Sequence, residues 1–376
     1  MRATRAIIRL DHFRHNIAQI RRAIRRADGT YPLICLAVKA DAYGHGIAPV
    51  GLAAARCGVD YLAVATVDEG IELRDAGSLL PILLYGLPTP EEIAPVVTHG
   101  ITPILSDAEQ IELFSAEAAR QHTHVPVHLK VDTGMGRIGC RPDDGPRLAR
   151  MVSASGALAL GGVCTHFAAS DSDDRAYTIE QIATFERFLT RLRAEGIAPG
   201  IVHAANTGGV LAHPESWYDM VRPGILAYGY YPSDCLERLY DVRPMMELRS
   251  RVVFIKEVEP GDAISYGMTW RAPDRTHIGT IPVGYADGYN RLLSNRGHVS
   301  IDGTRYPVVG RVCMDQLMVD LGADCTVRRY DEAILFGYGD GVPSAEDIAR
   351  ICGTIPYEVT CGISKRVPRV YADRDP

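Results

Sequence analysis

The chain has 376 residues, 47% of them hydrophobic and 23% charged, and its formal net charge is −6. That length fits one large α/β barrel with a second domain, or two to three ordinary domains, and it can bury a core without disulfide staples. The acidic balance argues against a general binder of nucleic acid or membrane surfaces. The nine cysteines include no C-x-x-C pair, so neither a disulfide framework nor a zinc ribbon is expected.

The N-terminal residues and the lengths of the apolar runs predict the cellular compartment of the protein. The first eight residues are expected to lead into a helix and not to form the apolar core of a signal peptide. No apolar run approaches transmembrane length. We therefore expect a soluble protein of the cytoplasm.

Eight apolar runs alternate with amphipathic helical patterns in the first two thirds of the chain. Several runs are continuously apolar, which is typical of strands buried on both faces of a parallel sheet. Asp11 and Asp107 stand where helix N-caps are expected. Eight strand–helix units over about 230 residues indicate a TIM-type (β/α)8 barrel. The runs are 33–38, 61–65, 82–85, 102–105, 127–131, 160–165, 201–204 and 218–226.

A mainly β domain is predicted to follow the barrel. A less regular stretch between Pro232 and Pro244 marks the boundary, so the barrel is assigned to residues 1–240 and the second domain to residues 241–376. One short helix is expected near residues 346–352, and a turn at Asp302-Gly303 separates two of the strands. The predicted strands are 252–258, 278–283, 298–301, 308–312, 317–321 and 333–338.

Lysine is rare in this arginine-rich chain and occurs only at positions 39, 130, 256 and 365. A lysine amine can be deprotonated whereas a guanidinium cannot, although codon preference alone would leave the same four residues. Lys39 follows the first predicted strand, at the barrel mouth where catalytic side chains collect. Partial desolvation there lowers an amine pKa and favours a nucleophile or base, while the alternative is a salt-bridged lysine at a strand end. Tyr43 and the glycines beside it favour a ligand-binding loop.

The loops after the last two predicted strands are candidates for phosphate binding. One contains Asn206, Thr207 and two glycines, and the other contains Arg222 and Gly224. Barrel enzymes often bind phosphate at this place, through backbone N–H groups, and the alternative is two ordinary turns. A lysine amine and a phosphate pocket at one barrel mouth suit pyridoxal phosphate.

A series of motifs in order along nearly the whole chain resembles the alanine racemase family. Each motif alone is weak evidence, whereas the ordered set is strong. The resemblance implies a homodimer that uses pyridoxal phosphate and contributes D-alanine to peptidoglycan. The motifs are residues 37–46, 130–139, 165–166, 222–225, 264–267, 282–288, 312–316 and 357–358 with 366–369.

The resemblance implies two proton-transferring residues on opposite faces of the substrate. Lys39 would hold the cofactor covalently and act on one face of the α-carbon. Tyr266 of the other subunit would act on the opposite face, although without the resemblance it would be taken as a surface strand residue. Tyrosine is a poor base at its free pKa near 10, so His166 is expected in its hydrogen-bond network, with Asp315 nearby.

Arg222 would face the pyridine nitrogen of the cofactor in this family. Arginine does not release its proton in proteins, so the ring nitrogen would stay unprotonated. A weaker electron sink disfavours a long-lived carbanion and favours racemisation over transamination. An acidic residue at this position would predict the reverse.

The resemblance also implies the substrate clamp. Arg137 would bind the substrate carboxylate in bidentate fashion, assisted by the backbone N–H of Met314 from the partner subunit. Lys130 is carbamylated in many family members, and the carbamate would hold Arg137 in place. The alternative is an unmodified Lys130 paired with Asp132.

The cofactor phosphate would rest on a cradle implied by the same resemblance. Asn206 is assigned to the same cofactor site. Thr207 departs from the usual serine and keeps its hydroxyl, so binding is expected to survive. The cradle residues are Tyr43, Thr207, Gly224, Ile225 and Tyr357.

Two further patterns point elsewhere and carry little weight. Residues 134–139 match G-x-G-x-x-G, yet Pro142 follows where a helix should begin and no acidic residue lies about twenty residues on. His122, His124 and His128 resemble a metal cluster, but the first two precede the fifth barrel strand at its non-catalytic end. We therefore expect neither a dinucleotide site nor a metal.

Three alternatives to alanine racemisation stay open. The first is racemisation of another small amino acid such as serine, although Tyr43 and Tyr357 would leave little room in the pocket. The second is a pyridoxal-phosphate decarboxylase, which would gain from a protonated ring and so is disfavoured by Arg222. The third is a non-enzymatic cofactor carrier of barrel type, which would have no use for a second domain.

Overall fold

The computed structural model describes residues 2–373. None of the helices in that range is long and apolar enough to cross a membrane. The strands are β1 (Arg5–Arg9), β2 (Leu33–Ala37), β3 (Tyr61–Val64), β4 (Ile82–Leu84), β5 (Thr102–Leu105), β6 (Val125–Lys130), β7 (Leu158–Cys164), β8 (Ile201–His203), β9 (Met220–Val221), β10 (Met246–Arg251), β11 (Phe254–Val258), β12 (Ala263–Ile264), β13 (Trp270–Arg271), β14 (Thr276–Ile281), β15 (His298–Ile301), β16 (Thr304–Pro307), β17 (Leu317–Gly322), β18 (Glu332–Phe336) and β19 (Arg369–Ala372). The helices are α1 (Leu10–Ala23), α2 (Lys39–Gly44), α3 (Ile47–Arg56), α4 (Val67–Asp75), α5 (Pro90–Thr98), α6 (Ala108–Arg120), α7 (Gly145–Ala154), α8 (Ala176–Ala194), α9 (Thr207–Ala212), α10 (Ala345–Cys352) and α11 (Pro356–Cys361).

Strands β2 to β9 form a closed parallel barrel, as predicted. Each of the eight apolar runs overlaps one barrel strand, and β2 closes the barrel by pairing with β9. Along β2 the side chains alternate, so Ile34 and Leu36 face the helices while Cys35 faces inward. The predicted (β/α)8 barrel followed by a mainly β domain is therefore confirmed. The C-terminal ends of the eight barrel strands lie at the same end of the barrel, and we expect the functional site there.

Helix caps were predicted with mixed success. Asp107 is the N-cap of α6, and its carboxylate accepts a hydrogen bond from the backbone N–H of Gln110 at 2.9 Å. The expectation for Asp11 was wrong, because α1 begins at Leu10 after the N-cap Arg9 and Asp11 lies in the first turn. An acidic side chain in the first turn still complements the helix dipole, so the sequence signal was misplaced by two residues.

The N-terminal segment belongs to the second domain's sheet. Residues Arg5–Arg9 form β1, which pairs antiparallel with β10 and parallel with β19. The expectation that the first residues lead into a helix is confirmed, because α1 begins at Leu10, but the strand that precedes it was not predicted. A short apolar run does not distinguish strand from helix, and the partners of β1 lie far away in the chain.

The second domain is built from three sheets. The largest has six strands in the order β16-β15-β18-β10-β1-β19, beside a three-stranded sheet β11-β14-β17 and a β12-β13 hairpin. Asp302 and Gly303 form the two-residue turn between β15 and β16, with φ of 48° and 74°. The predicted strand at 308–312 is reduced to one bridge at Val308. The predicted helix is α10, and α11 was not foreseen; it packs against α2 at the barrel mouth.

Candidate active site

A cavity of about 470 Å³ lies at the C-terminal mouth of the barrel. Most of the site residues predicted from sequence line it, although they come from six different loops and strand ends. Ile225 does not line it, because its side chain is buried in the main core behind Gly224. The predicted residues that line the cavity are Lys39, Tyr43, Lys130, Arg137, His166, Asn206, Thr207, Arg222, Gly224 and Tyr357.

Lys39 lies two residues after the end of β2, and its amine faces this cavity. Burial lowers the pKa of the Lys39 ammonium, and the positive charge of Arg137 lowers it further. The carboxylate of Glu69 acts in the opposite direction. A lysine in these surroundings is more often in its neutral, nucleophilic form than an exposed lysine.

The turn that follows Lys39 has an unusual backbone. Four consecutive residues, 40–43, have φ between 51° and 54°, which is the left-handed region. Each such residue costs about 1–2 kcal/mol relative to a right-handed conformation, so other contacts must hold the turn. Glu69 accepts the backbone N–H of Ala40 at 2.6 Å, and the guanidinium of Arg369 donates to the carbonyl of Gly44 at 3.0 Å. Contacts from both domains therefore stabilise the strained turn, and the turn directs Tyr43 into the cavity.

Hydroxyl groups converge at one end of the cavity. Thr207 begins α9, and its hydroxyl accepts the backbone N–H of Gly224 at 2.9 Å. A Cβ at Gly224 would come within 2.8 Å of the Tyr43 hydroxyl, so only glycine leaves this surface open. The Tyr43 ring packs against Tyr357, with centroids 5.6 Å apart. Burial raises the pKa of both tyrosine hydroxyls, so they remain proton donors. Such a donor set suits a phosphate group.

Arg222 is almost fully buried at the floor of the cavity. Its Nη2 donates to the carbonyl oxygens of Thr165 at 2.8 Å and Ala204 at 2.9 Å. Its Nη1 contacts His203 Nδ1 at 2.8 Å, and Nη2 lies 3.3 Å from His166 Nδ1. The guanidinium is therefore oriented by four neighbours and carries a fixed positive charge into the barrel.

Lys130 and Arg137 flank the cavity near Lys39. Burial lowers the pKa of the Lys130 ammonium to about 8. Within residues 2–373 Lys130 forms no ion pair, since Asp132 instead accepts the backbone N–H groups of Gly134 and Gly136. The proposed pairing of Lys130 with Asp132 is therefore absent, and the carbamate stays a prediction.

The loop at residues 134–139 does not have the geometry of a dinucleotide site. It folds back around Asp132, and Val131 and Cys140 form a bridge across its base. This closure carries Arg137 into the cavity. His122 and His124 are exposed, and no group of three or more His, Cys, Asp or Glu residues able to hold a metal occurs in the described part of the chain.

Three predicted residues lie away from the cavity of their own chain. Tyr266 is 72% exposed and Met314 is 52% exposed on the second domain. Asp315 forms an exposed ion pair with Arg366 at 2.7 Å. These groups are therefore free to reach a neighbouring molecule, and they do not complete the site within one chain.

Four residues that line the cavity or contact its surroundings were not predicted from the sequence. His203 is the last residue of β8, and a polar side chain at the end of an apolar run is a sequence signal that could have indicated its place near the barrel mouth. Glu69 is the last residue of a capping box that begins at Thr66, which also predicts its position. Tyr85 and Asp171 line the cavity without any local sequence signal.

Buried histidines predict a loss of stability in mildly acidic solution. Burial lowers the pKa of His45 and of His128 from 6.5 to about 4, and the pKa values of His166 and His203 lie well below normal. The unfolded chain therefore binds protons that the folded chain does not. The free energy of unfolding is expected to fall as the pH decreases from about 6.5 towards 4, by about 3 kcal/mol for each of His45 and His128. Urea unfolding followed by fluorescence across this range tests the slope, and a constant free energy would contradict it.

Two family models match the chain in series. The model described as alanine racemase, N-terminal domain, matches residues 8–232. The model described as alanine racemase, C-terminal domain, matches residues 245–371. The first match lies within residues 1–240, predicted as the barrel, and the second lies within residues 241–376, predicted as the second domain.

Individual relatives agree with these models. The chain is 47% identical to an alanine racemase of Treponema denticola, with 99% of both chains covered, and 45% identical to one of Desulfovibrio desulfuricans, with 98% of both covered. Among solved structures, an alanine racemase of Clostridium difficile 630 has 39% identity and a TM-score of 0.91, covering 99% of this chain and 96% of that one. One from Streptomyces coelicolor A3(2) has 34% identity and a TM-score of 0.92, covering 99% and 98%.

Proposed function

Because the chain belongs to the alanine racemase family of isomerases, we propose that it interconverts L-alanine and D-alanine with pyridoxal phosphate held by Lys39. The observation that carries this proposal is one cavity that gathers the Lys39 amine, the buried Arg222 and the hydroxyl cradle. We assign to the protein the role of supplying D-alanine for peptidoglycan in the cytoplasm.

The cavity residues fit pyridoxal phosphate. The glycine surface at Gly224 and the hydroxyls of Tyr43, Thr207 and Tyr357 provide neutral donors for the phosphate, with the N-terminus of α9 close by. The amine of Lys39 faces the same cavity and is partly desolvated. When bound, the cofactor withdraws electrons from the substrate α-carbon and so acidifies its proton.

Two residues of this chain move the α-proton in the proposal. The neutral Lys39 amine accepts or returns it on one face. The Tyr266 hydroxyl of the partner subunit does so on the other face, because inversion requires removal and addition from opposite sides. His166 lies beside Arg222 and would join the hydrogen-bond network of the partner subunit's Tyr266.

Arg137 and Arg222 have different tasks in the proposal. Arg137 binds the substrate carboxylate at the rim, with the backbone of the partner's Met314, and its charge also lowers the pKa of Lys39. Arg222 would face the pyridine nitrogen of the bound cofactor, as a donor that cannot give up its proton. Limited charge delocalisation then favours rapid return of the proton to the α-carbon. Asp315 is assigned to the hydrogen-bond network around Tyr266 of its own chain, on the exposed second-domain surface.

A homodimer with shared active sites follows from this assignment. The proposed second base, Tyr266, does not line the cavity of its own chain and is exposed on the second domain together with Met314. Each site would combine the barrel of one chain with the β domain of the other.

Mixed dimers test the shared site. Lys39→Ala and Tyr266→Ala chains are each expected to be inactive alone. After mixing and reassociation, the hybrid has one intact site, so about a quarter of wild-type activity is expected from random pairing. Remixed wild-type chains serve as the control for losses during reassociation. Absence of recovery beside intact remixed controls would count against sites shared between subunits.

The activity itself is tested by circular dichroism. Optical rotation of L-alanine should decay to zero with enzyme and pyridoxal phosphate, and more slowly after the cofactor is removed. A panel with L-serine tests the remaining alternative, because one extra group in a tight pocket changes specificity by only about 1–3 kcal/mol. If L-serine is turned over as fast as L-alanine or faster, serine becomes the assigned substrate. Release of carbon dioxide at a rate that matches racemisation would favour a decarboxylase.

A further inference from the structure

We propose that His128 is a positioning residue that fixes the tautomer of His203 and thereby the orientation of Arg222. The inference rests on the proposed function, in which Arg222 faces the cofactor nitrogen. His128 lies on β6, in the interior of the barrel, and does not line the cavity. It would therefore act only through its neighbours.

The three side chains form a continuous buried chain of hydrogen bonds. His128 Nδ1 lies 2.7 Å from His203 Nε2. His203 Nδ1 lies 2.8 Å from Arg222 Nη1. All three residues are at most 7% exposed, so water does not compete for these bonds.

The direction of the chain is set by arginine. Arg222 is a donor only, so His203 Nδ1 must be unprotonated and accept. The single proton of neutral His203 is then on Nε2 and is donated to His128 Nδ1. His128 in turn carries its own proton on Nε2. Burial and the charge of Arg222 lower the pKa of both rings, so both stay neutral in this arrangement.

The barrel backbone is shaped to admit the His128 ring. The pairing of β6 with β7 shifts register between Val127 and His128. The facing positions are Gly161 and Gly162, and a Cβ at Gly162 would come within 2.6 Å of the ring. A bulge and two glycines in an otherwise apolar barrel wall indicate that the ring's place is specified, beyond filling space.

Loss of the His128 acceptor has a defined consequence. His203 Nε2–H would be left unpaired in the barrel interior, which favours the tautomer with the proton on Nδ1. Two N–H groups would then face each other between His203 and Arg222. The guanidinium of Arg222 would turn away from its present position, and its hydrogen bond to the pyridine nitrogen of the bound cofactor would weaken.

The test compares His128→Leu with His128→Asn in the holoenzyme. Leucine removes the acceptor, whereas the asparagine Oδ1 replaces Nδ1 as an acceptor. His12→Leu is the control for burying leucine in place of a buried histidine, since His12 bonds to the carbonyl of Pro244 and does not contact Arg222. The main readout is the ratio of transamination to racemisation. We expect it to rise about 10-fold or more in His128→Leu, with substantial recovery in His128→Asn and no change in His12→Leu.

A second measurement does not depend on turnover or on variant folding. Neutron diffraction from wild-type crystals shows which ring nitrogen of His203 carries deuterium, and Nε2 is expected. Deuterium on Nδ1, or an unchanged ratio in a folded His128→Leu enzyme, would overturn the role of His128. Failure of the wild-type enzyme to bind pyridoxal phosphate or to racemise alanine would instead overturn the proposed function.

Discussion

Replacing Lys39 by alanine is expected to lower the rate of alanine racemisation by about 10⁴-fold or more. A positioned acid or base alone contributes about 10²–10⁴-fold, and Lys39 is also the proposed covalent anchor of the cofactor. The amine faces the cavity, and the neighbouring Arg137 and Arg222 cannot replace it because a guanidinium does not give up its proton. Circular dichroism of L-alanine, with saturating pyridoxal phosphate, measures the loss.

The matched control is Lys365→Ala, which removes an exposed lysine outside the cavity. That variant should retain wild-type activity and thermal stability. In the absence of the cofactor, the Lys39→Ala protein should also unfold at the wild-type temperature, because the Lys39 side chain forms no ion pair within residues 2–373. Retention of even a tenth of the activity in Lys39→Ala would show that another group is the base.

Replacing Arg222 by glutamate is expected to change the reaction and not only to slow it. A carboxylic acid beside the ring nitrogen can share a proton with it, so negative charge from the α-carbon would spread further into the cofactor. Racemisation should fall by about 10²–10³-fold, the usual loss when a fixed electrostatic partner is removed. The fraction of turnovers that end in transamination should rise. Accumulated pyridoxamine phosphate and pyruvate, set against D-alanine formed, give the ratio.

Arg222→Lys separates charge from geometry in this experiment. Lysine keeps the positive charge but cannot span the carbonyls of Thr165 and Ala204 and the ring of His203 at once. We expect an intermediate loss of racemisation without a marked rise in transamination. Thermal unfolding of both variants checks that the barrel remains folded. An unchanged ratio in a folded Arg222→Glu enzyme would contradict the role assigned to Arg222.

The barrel could be predicted from sequence because its signals are local. A strand of a parallel sheet is buried on both faces, so it appears in the sequence as a continuous apolar run such as 33–38. This run can be recognised without knowing which strands pair with it. The strand β1 at Arg5–Arg9 could not be assigned in this way, because its pairing partners begin at Met246 and Arg369. A five-residue apolar segment followed by a helix gives no sign of a distant sheet.

Most of the site residues predicted from the sequence line the cavity, but the backbone geometry that places them could not be predicted. Residues such as Lys39 and Thr207 follow strand ends, so a barrel brings them to one mouth. The left-handed turn at 40–43 could not be foreseen, since Ala42 and Tyr43 carry no preference for positive φ. The turn is held at its ends, by Glu69 at Ala40 and by Arg369 at Gly44. The hydrogen bonds that link His128, His203 and Arg222 depend on how β6, β8 and the residue after β9 are placed around the barrel, which no local pattern specifies.

Covalent labelling tests the central claim most directly. The holoenzyme is reduced with sodium borohydride, digested, and its peptides are mapped by mass spectrometry and cofactor fluorescence. The account predicts that reduced cofactor is attached to the Lys39 side chain and to no other residue. Attachment to Lys130, Lys256 or Lys365, or an unlabelled chain from a racemising enzyme, would contradict it.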